Sequence, residues 1–325
     1  MKQRKLLPGI LAAAGMLLLI LDSKTALVSA AEGIELCIQT VIPSLFPFFL
    51  LSGILVSSFL GSRGSLLRPL GRLLGMPAGS ESLLICGFLG GYPVGAKSVR
   101  DAWAGGTLSK SDAERLLPFC NNAGPSFLFG MAAPMFSDLY TGWILWAIQI
   151  ASALTAGILL KEEPAIESPR LTAPGTSVLD SLNRALSVTA QICGWVIFFR
   201  VGTGFLSRWF LWKIPQWMQT AVIGLLELAN GCLMLPNIRS EEIRFLLCSA
   251  MLSFGGVCVW MQTASAAKGL SLRYYRKGKL LQNLCCFLYS LLWLINGTYL
   301  LVVFPAILLG SKIIKKSGNP QTVGV

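Results

Sequence analysis

The sequence predicts an all-α polytopic membrane protein built as two inverted repeats with re-entrant hairpins and broken transmembrane helices. Three observations carry that expectation. Of 325 residues, 54% are hydrophobic and only 13% charged, with a mean hydropathy of +0.66. Soluble domains carry about 25% charged residues, so this chain has too little charge to cover its apolar side chains in water. The apolar residues also fall in blocks near bilayer length, roughly 20 residues each. Finally, Ser111-Asp112-Ala113-Glu114-Arg115-Leu116-Leu117 is echoed by Ser240-Glu241-Glu242-Ile243-Arg244-Phe245-Leu246. Each copy follows a short apolar hairpin candidate and precedes a glycine-interrupted helix.

Composition excludes several classes. The net charge is +12, but the basic residues lie between apolar blocks, as orientation in a membrane requires. No basic stripe with interleaved aromatics points to nucleic acid. The nine cysteines sit mostly inside apolar segments, without metal-finger spacing. Histidine is absent, which removes the commonest general base and the commonest metal ligand. No enzymatic activity, bound cofactor or metal is expected.

Residues 1–23 read as an N-terminal transmembrane helix led by Lys2, Arg4 and Lys5, with the N-terminus in the cytoplasm. A signal peptide cleaved near Val28-Ser29-Ala30 is the alternative. Residues 24–160 form the first repeat. It opens with an amphipathic interfacial helix over 24–41 and a span over 42–60. A loop with Arg63, Arg68 and Arg72 then marks a cytoplasmic side. The apolar piece 82–89 is too short to cross, breaks at Gly90-Gly91-Tyr92-Pro93-Val94-Gly95 and reads as a re-entrant hairpin. Ser111 with Glu114 makes a capping box for a helix interrupted at Asn121-Asn122-Ala123-Gly124-Pro125-Ser126. A span over 139–160 closes the half.

Residues 161–175 are the linker. The second repeat, 176–311, has an amphipathic approach (178–191), a span (192–211) and a short apolar piece (221–235) carrying Glu227, Asn230 and Gly231. A helix starting at Ser240 breaks near Ser253-Phe254-Gly255-Gly256. A basic loop over 268–279 and a last apolar stretch follow, then a polar tail over 312–325. Each half makes three crossings, an odd number, so the second half is inverted relative to the first. The linker and the 268–279 loop fall on the cytoplasmic side. One conflict remains: seven crossings put Lys312, Lys315 and Lys316 outside.

Non-helical backbone at membrane depth is tolerated only where it is buried in protein or lines a wet cavity. The breaks therefore nominate the substrate-binding residues: Gly91, Tyr92, Pro93, Asn121, Asn122, Ser126, Glu227, Asn230 and Ser253. A helix restarting at Ser126 suits an anion, because its N-terminus carries partial positive charge. The paired asparagines serve either as interhelical hydrogen-bonding groups or as a site. Glu227 is an intramembrane acid, read either as a coupling or substrate-contacting residue or as the partner of Arg200. A proton or sodium ion is the expected coupling ion. Expected partners are a small-molecule substrate, dicarboxylate or nucleoside-like, and the lipid bilayer; a homo-oligomer is open.

Three motifs then become familiar together. Val41-Ile42-Pro43-Ser44-Leu45-Phe46-Pro47-Phe48, Gly87-Phe88-Leu89-Gly90-Gly91-Tyr92-Pro93-Val94-Gly95-Ala96-Lys97 and Phe119-Cys120-Asn121-Asn122-Ala123-Gly124-Pro125 resemble the YlbJ-type sporulation integral membrane proteins of the nucleoside-recognition, or Gate, domain family. The second half matches mainly in layout. The resemblance implies a role in endospore formation and a fold related to concentrative nucleoside transporter cores. It implies movement of dipicolinic acid from the mother-cell cytoplasm across the outer forespore membrane. The protein would then lie in the outer forespore or cytoplasmic membrane. Nucleoside transport and a non-transporting sporulation assembly factor are the alternatives.

Overall fold

The structure, a computed structural model, describes residues 2–59, 66–138, 140–162, 177–299 and 303–304. Most of the 161–175 linker, the polar tail over 312–325 and Arg63 lie outside these residues. Five described segments are long and apolar enough to cross a membrane: Ser23–Leu51, Tyr140–Leu159, Val178–Trp209, Glu241–Ala266 and Arg273–Ile295. Among the described residues every regular element is helical.

The first half begins with α1 (Lys2–Leu21) and α2 (Ser23–Leu36), separated at Asp22, whose side chain accepts from the Thr25 amide at 3.3 Å. The amphipathic stretch over 24–41 is not a separate interfacial helix. α2 runs on through a π-helical turn, Cys37–Val41, into α3 (Ile42–Phe59). The wider turn explains the continuity. Pro43 lacks an amide hydrogen and would clash with the preceding turn of an α-helix, and a π turn relieves both problems. After α4 (Arg68–Leu73), α5 (Ser82–Leu89) and α6 (Val94–Ala104) form a hairpin around Gly90–Pro93.

Next comes α7 (Lys110–Leu116). Its cap is Ser109, which accepts from the Asp112 amide at 3.0 Å, and not Ser111. The chain then leaves the helix and re-enters it at α8 (Pro125–Phe127), which continues through a π turn and a 3₁₀ turn to Met135. α9 (Tyr140–Leu159) ends the half.

In the second half, the expected approach and span are one 32-residue helix, α10 (Val178–Trp209). Ser177 and Asp180 form its capping box, and no proline interrupts it. α11 (Gln216–Leu226) and α12 (Leu228–Leu233) make a hairpin broken at Glu227. α13 (Glu241–Phe254), capped by Ser240, stops at Gly255, and α14 (Gly256–Ala266) continues from it. The expected basic loop over 268–279 is only partly a loop. α15 (Arg273–Ile295) already starts within it and carries Lys279 into the interior. Both halves thus share one order: long helix, hairpin, broken helix, long helix.

Packing explains where the breaks sit. α10 lies along α2 and α3, while α15 packs between α9 and α13. α6 of the first hairpin touches α14, and α12 of the second touches the π turn after α8. Each hairpin therefore reaches the broken helix of the opposite half.

Candidate functional site

The site is built where backbone meets backbone. Gly87, Gly91 and Gly95 recur every four residues along the first hairpin and face the non-helical segment from Cys120 to Gly124. A Cβ on Gly87 would overlap the Cys120 carbonyl, and one on Gly91 would stand 2.9 Å from the Gly124 nitrogen. The motif is thus a groove that accepts an unwound chain. Asn121 pins that chain: its Oδ1 accepts from the Ala96 amide at 3.2 Å, and its Nδ2 donates to Thr263 Oγ1 at 3.0 Å. The second half uses glycine differently. Gly255 and Gly256 take left-handed backbone, φ +80° and +77°, and a Cβ on Gly256 would lie 3.0 Å from the Gly224 carbonyl at the second hairpin.

Both hairpin tips and the first break open onto one cavity of about 50 Å³, which α14, the helix after the second break, also lines. Gly91, Tyr92, Gly124 and Ser126 line it from the first half. Glu227, Leu228, Ala229, Val259 and Gln262 line it from the second, and Val41, Leu45, Phe49, Ile192 and Val196 close its apolar side. Ligand pockets run to about 300–1,000 Å³, so this cavity is smaller than a metabolite pocket as it stands.

Four of the nine expected site residues, Gly91, Tyr92, Ser126 and Glu227, meet at this cavity. Glu227 caps α12: its carboxylate accepts the Ala229 amide at 3.0 Å and the Asn230 amide at 2.6 Å. A helix N-terminus favours a negative group there. Arg200 forms its ion pair not with Glu227 but with Glu32, at 2.9 Å. Arg200 also donates to Asn230 Oδ1 at 3.5 Å, while the buried Asn230 Nδ2 has no partner among the described residues. Pro93 caps α6 beside Tyr92. Ser253 lies behind the second break, where it accepts from Asn283 Nδ2 at 2.9 Å.

Asn121 and Asn122 do not line the cavity; both are buried. Asn122 faces a group that sequence reasoning misses. Lys279 is fully buried, and its ammonium donates to Gln282 Oε1 at 2.8 Å, Asn122 Oδ1 at 3.0 Å and Tyr92 Oη at 3.2 Å. Gln282 Nε2 in turn donates to Asn122 Oδ1 and to Gln149 Oε1, at 2.9 and 3.1 Å. Among the described residues Lys279 has no carboxylate partner. Burying an unpaired charge costs several kcal/mol, so neutral oxygens alone compensate it poorly. A signal does exist: Tyr275, Lys279, Gln282, Cys286 and Tyr289 alternate by four and three residues, one stripe of a helix, and all five are buried.

Tyr92 joins the two regions. Its ring lines the cavity, and its hydroxyl accepts from Lys279 and donates to the Leu252 carbonyl at 3.4 Å. A Cβ on Gly255 would lie 3.4 Å from its Cζ. The tip of the first hairpin therefore touches the break of the second half.

No family model matches this sequence, and no solved structure matches it. A curated protein does: the sporulation integral membrane protein YlbJ of Bacillus subtilis (strain 168), 30% identical over 162 residues. Over that stretch the chain is similar to YlbJ. The aligned stretch covers 48% of this chain and 40% of the relative's length. The match supports the resemblance carried by the three motifs. Together with the five apolar helices, it supports a YlbJ-like, multi-pass membrane protein.

Proposed function

We propose that this chain is a secondary-transporter-like membrane protein. In this reading its halves are inverted Gate-like repeats, and the hairpins of α5–α6 and α11–α12 are re-entrant. The observation that carries the reading is the convergence on one cavity of two hairpin tips, the first helix break and α14, the second segment of the other broken helix. Transporters place their sites where broken helices of two repeats meet near the bilayer midplane. The substrate is a small anionic or polar metabolite, with dipicolinic acid first because of the YlbJ-type resemblance.

The test is flux. Purified protein in liposomes is expected to move dipicolinate ahead of simple dicarboxylates and nucleosides. A nucleoside moved in preference would replace the substrate. No flux of any of the three would favour a non-transporting assembly factor.

Glu227 is the proposed coupling group. Glu227→Gln keeps one acceptor for the α12 amides but removes the titrating carboxylate. It is expected to retain substrate binding and lose the response of flux to a pH gradient. Unchanged pH-driven flux in this variant would remove Glu227 from the mechanism.

A further inference from the structure

Lys279 does not line the cavity just described. Three neutral oxygens surround its ammonium, and two of them, on Asn122 and Tyr92, belong to the first half. One step along the same network, Gln149 is 1% exposed and its Nε2 has no hydrogen-bond partner among the described residues. A buried cation without a carboxylate and a buried amide donor without an acceptor lie at two ends of one chain, Lys279–Gln282–Gln149. Both deficits are met by one kind of group, an anion with more than one acceptor oxygen.

The approach is also charged. At the start of α15 an open hollow of about 600 Å³ is lined by Arg273, Arg276, Lys277, Tyr274, Trp260 and Leu280. Glu162 beside it accepts from Tyr274 Oη at 2.9 Å, leaving cations in the majority. A cleft of one sign raises the local concentration of its counter-ion. Trp260 meets the Tyr275 ring at 6.1 Å, and Tyr275 lies under the Lys279 ammonium at 5.8 Å. An aromatic pair thus separates the basic hollow from the buried lysine.

We propose that Lys279 and Gln149 form a carboxylate-binding site, closed by Tyr92, that takes the anionic group of the transported molecule when the first hairpin moves. This deepens the transporter reading and rests on it. Tyr92 is the specificity-setting contact. Its hydroxyl occupies one ammonium donor, and a carboxylate displaces it.

The experiment is thermal melting of the full chain in detergent with two probes of equal shape, isophthalate and its neutral diamide. Isophthalate is expected to raise the melting temperature by several degrees and the diamide to leave it unchanged. Lys279→Gln is expected to stay folded and to lose the isophthalate response. Equal responses to the two probes, no response to isophthalate, or a full response in Lys279→Gln would each overturn the proposal. Should Lys279→Gln fail to fold, Gln149→Leu decides. A tenfold weaker isophthalate affinity supports the site, and an unchanged one removes it. The transporter reading fails separately, by absence of flux in liposomes. Flux of a neutral nucleoside without any isophthalate response would keep transport and remove this site.

Discussion

Gly95→Ala is expected to remove most folded protein from the membrane. The added methyl would overlap the Cys120 carbonyl, a backbone atom that cannot rotate away as a side chain tip would. Nor can the unwound segment shift freely, because Asn121 holds the neighbouring Ala96 amide at 3.2 Å. Overpacking of a close-packed interior costs about 1–3 kcal/mol, and losing the Asn121 bond adds about 1 kcal/mol. Gly194→Ala is the control. Gly194 lies within α10, and a methyl added there meets nothing within 4 Å. Alanine at that position is expected to be neutral or to stabilise by roughly 0.5–1 kcal/mol. Monodisperse yield and melting temperature in detergent read both. A Gly95→Ala protein that melts like the parent would mean that the hairpin does not grip the break.

Arg115→Met is expected to be the most damaging loss of a side chain outside the cavity. Arg115 is 2% exposed and donates to the Gly75 carbonyl at 2.7 Å, the Leu74 carbonyl at 3.2 Å and Asp112 Oδ1 at 3.1 Å. Methionine fills similar space but leaves two carbonyls without that donor and takes the guanidinium from a buried carboxylate. Breaking a buried pair on one side costs about 3–5 kcal/mol. Arg115→Lys is expected to fall between parent and Met, since an ammonium lacks the planar fork that serves three acceptors at once. A melting curve for Arg115→Met within error of the parent would show that the cluster contributes nothing to stability.

Much of this arrangement is legible in the sequence. The apolar run of α5 stops at Leu89 because Gly90-Gly91-Tyr92-Pro93 cannot continue it, and the structure breaks there. Glu227 and Gly255 likewise mark real interruptions. Local chemistry decides such breaks, so local reading finds them. Helix continuity is harder. Pro43 has the look of an entry point, but a π turn absorbs it, and that depends on tertiary packing of Cys37 and Val41. Lys279 is hardest. Five basic residues between 268 and 279 have the pattern of a solvated loop. Only the pairing of α15 with Asn122 and Gln149 reveals that the last of them is interior. A partner more than a hundred positions away leaves no mark in the neighbourhood of the lysine.

The length of α10 carries a consequence of its own. Thirty-two residues rising about 1.5 Å each give a rod near 48 Å, against a hydrocarbon layer of about 30 Å. Simple tilt within the usual range of about 0–40° does not absorb the surplus. One end must stand in the headgroup region, and Asp180 and Arg184 near the start of the helix suit that end. Through Arg200 the same rod holds Glu32 on α2 and Asn230 on α12. A change in bilayer thickness would alter the inclination of this rod and, through Arg200 and Asn230, is expected to load the hairpin that carries Glu227. Lipid acyl-chain length is therefore expected to act as a mechanical input to the cavity, and the proposed flux compared across short-chain and long-chain liposomes would register it.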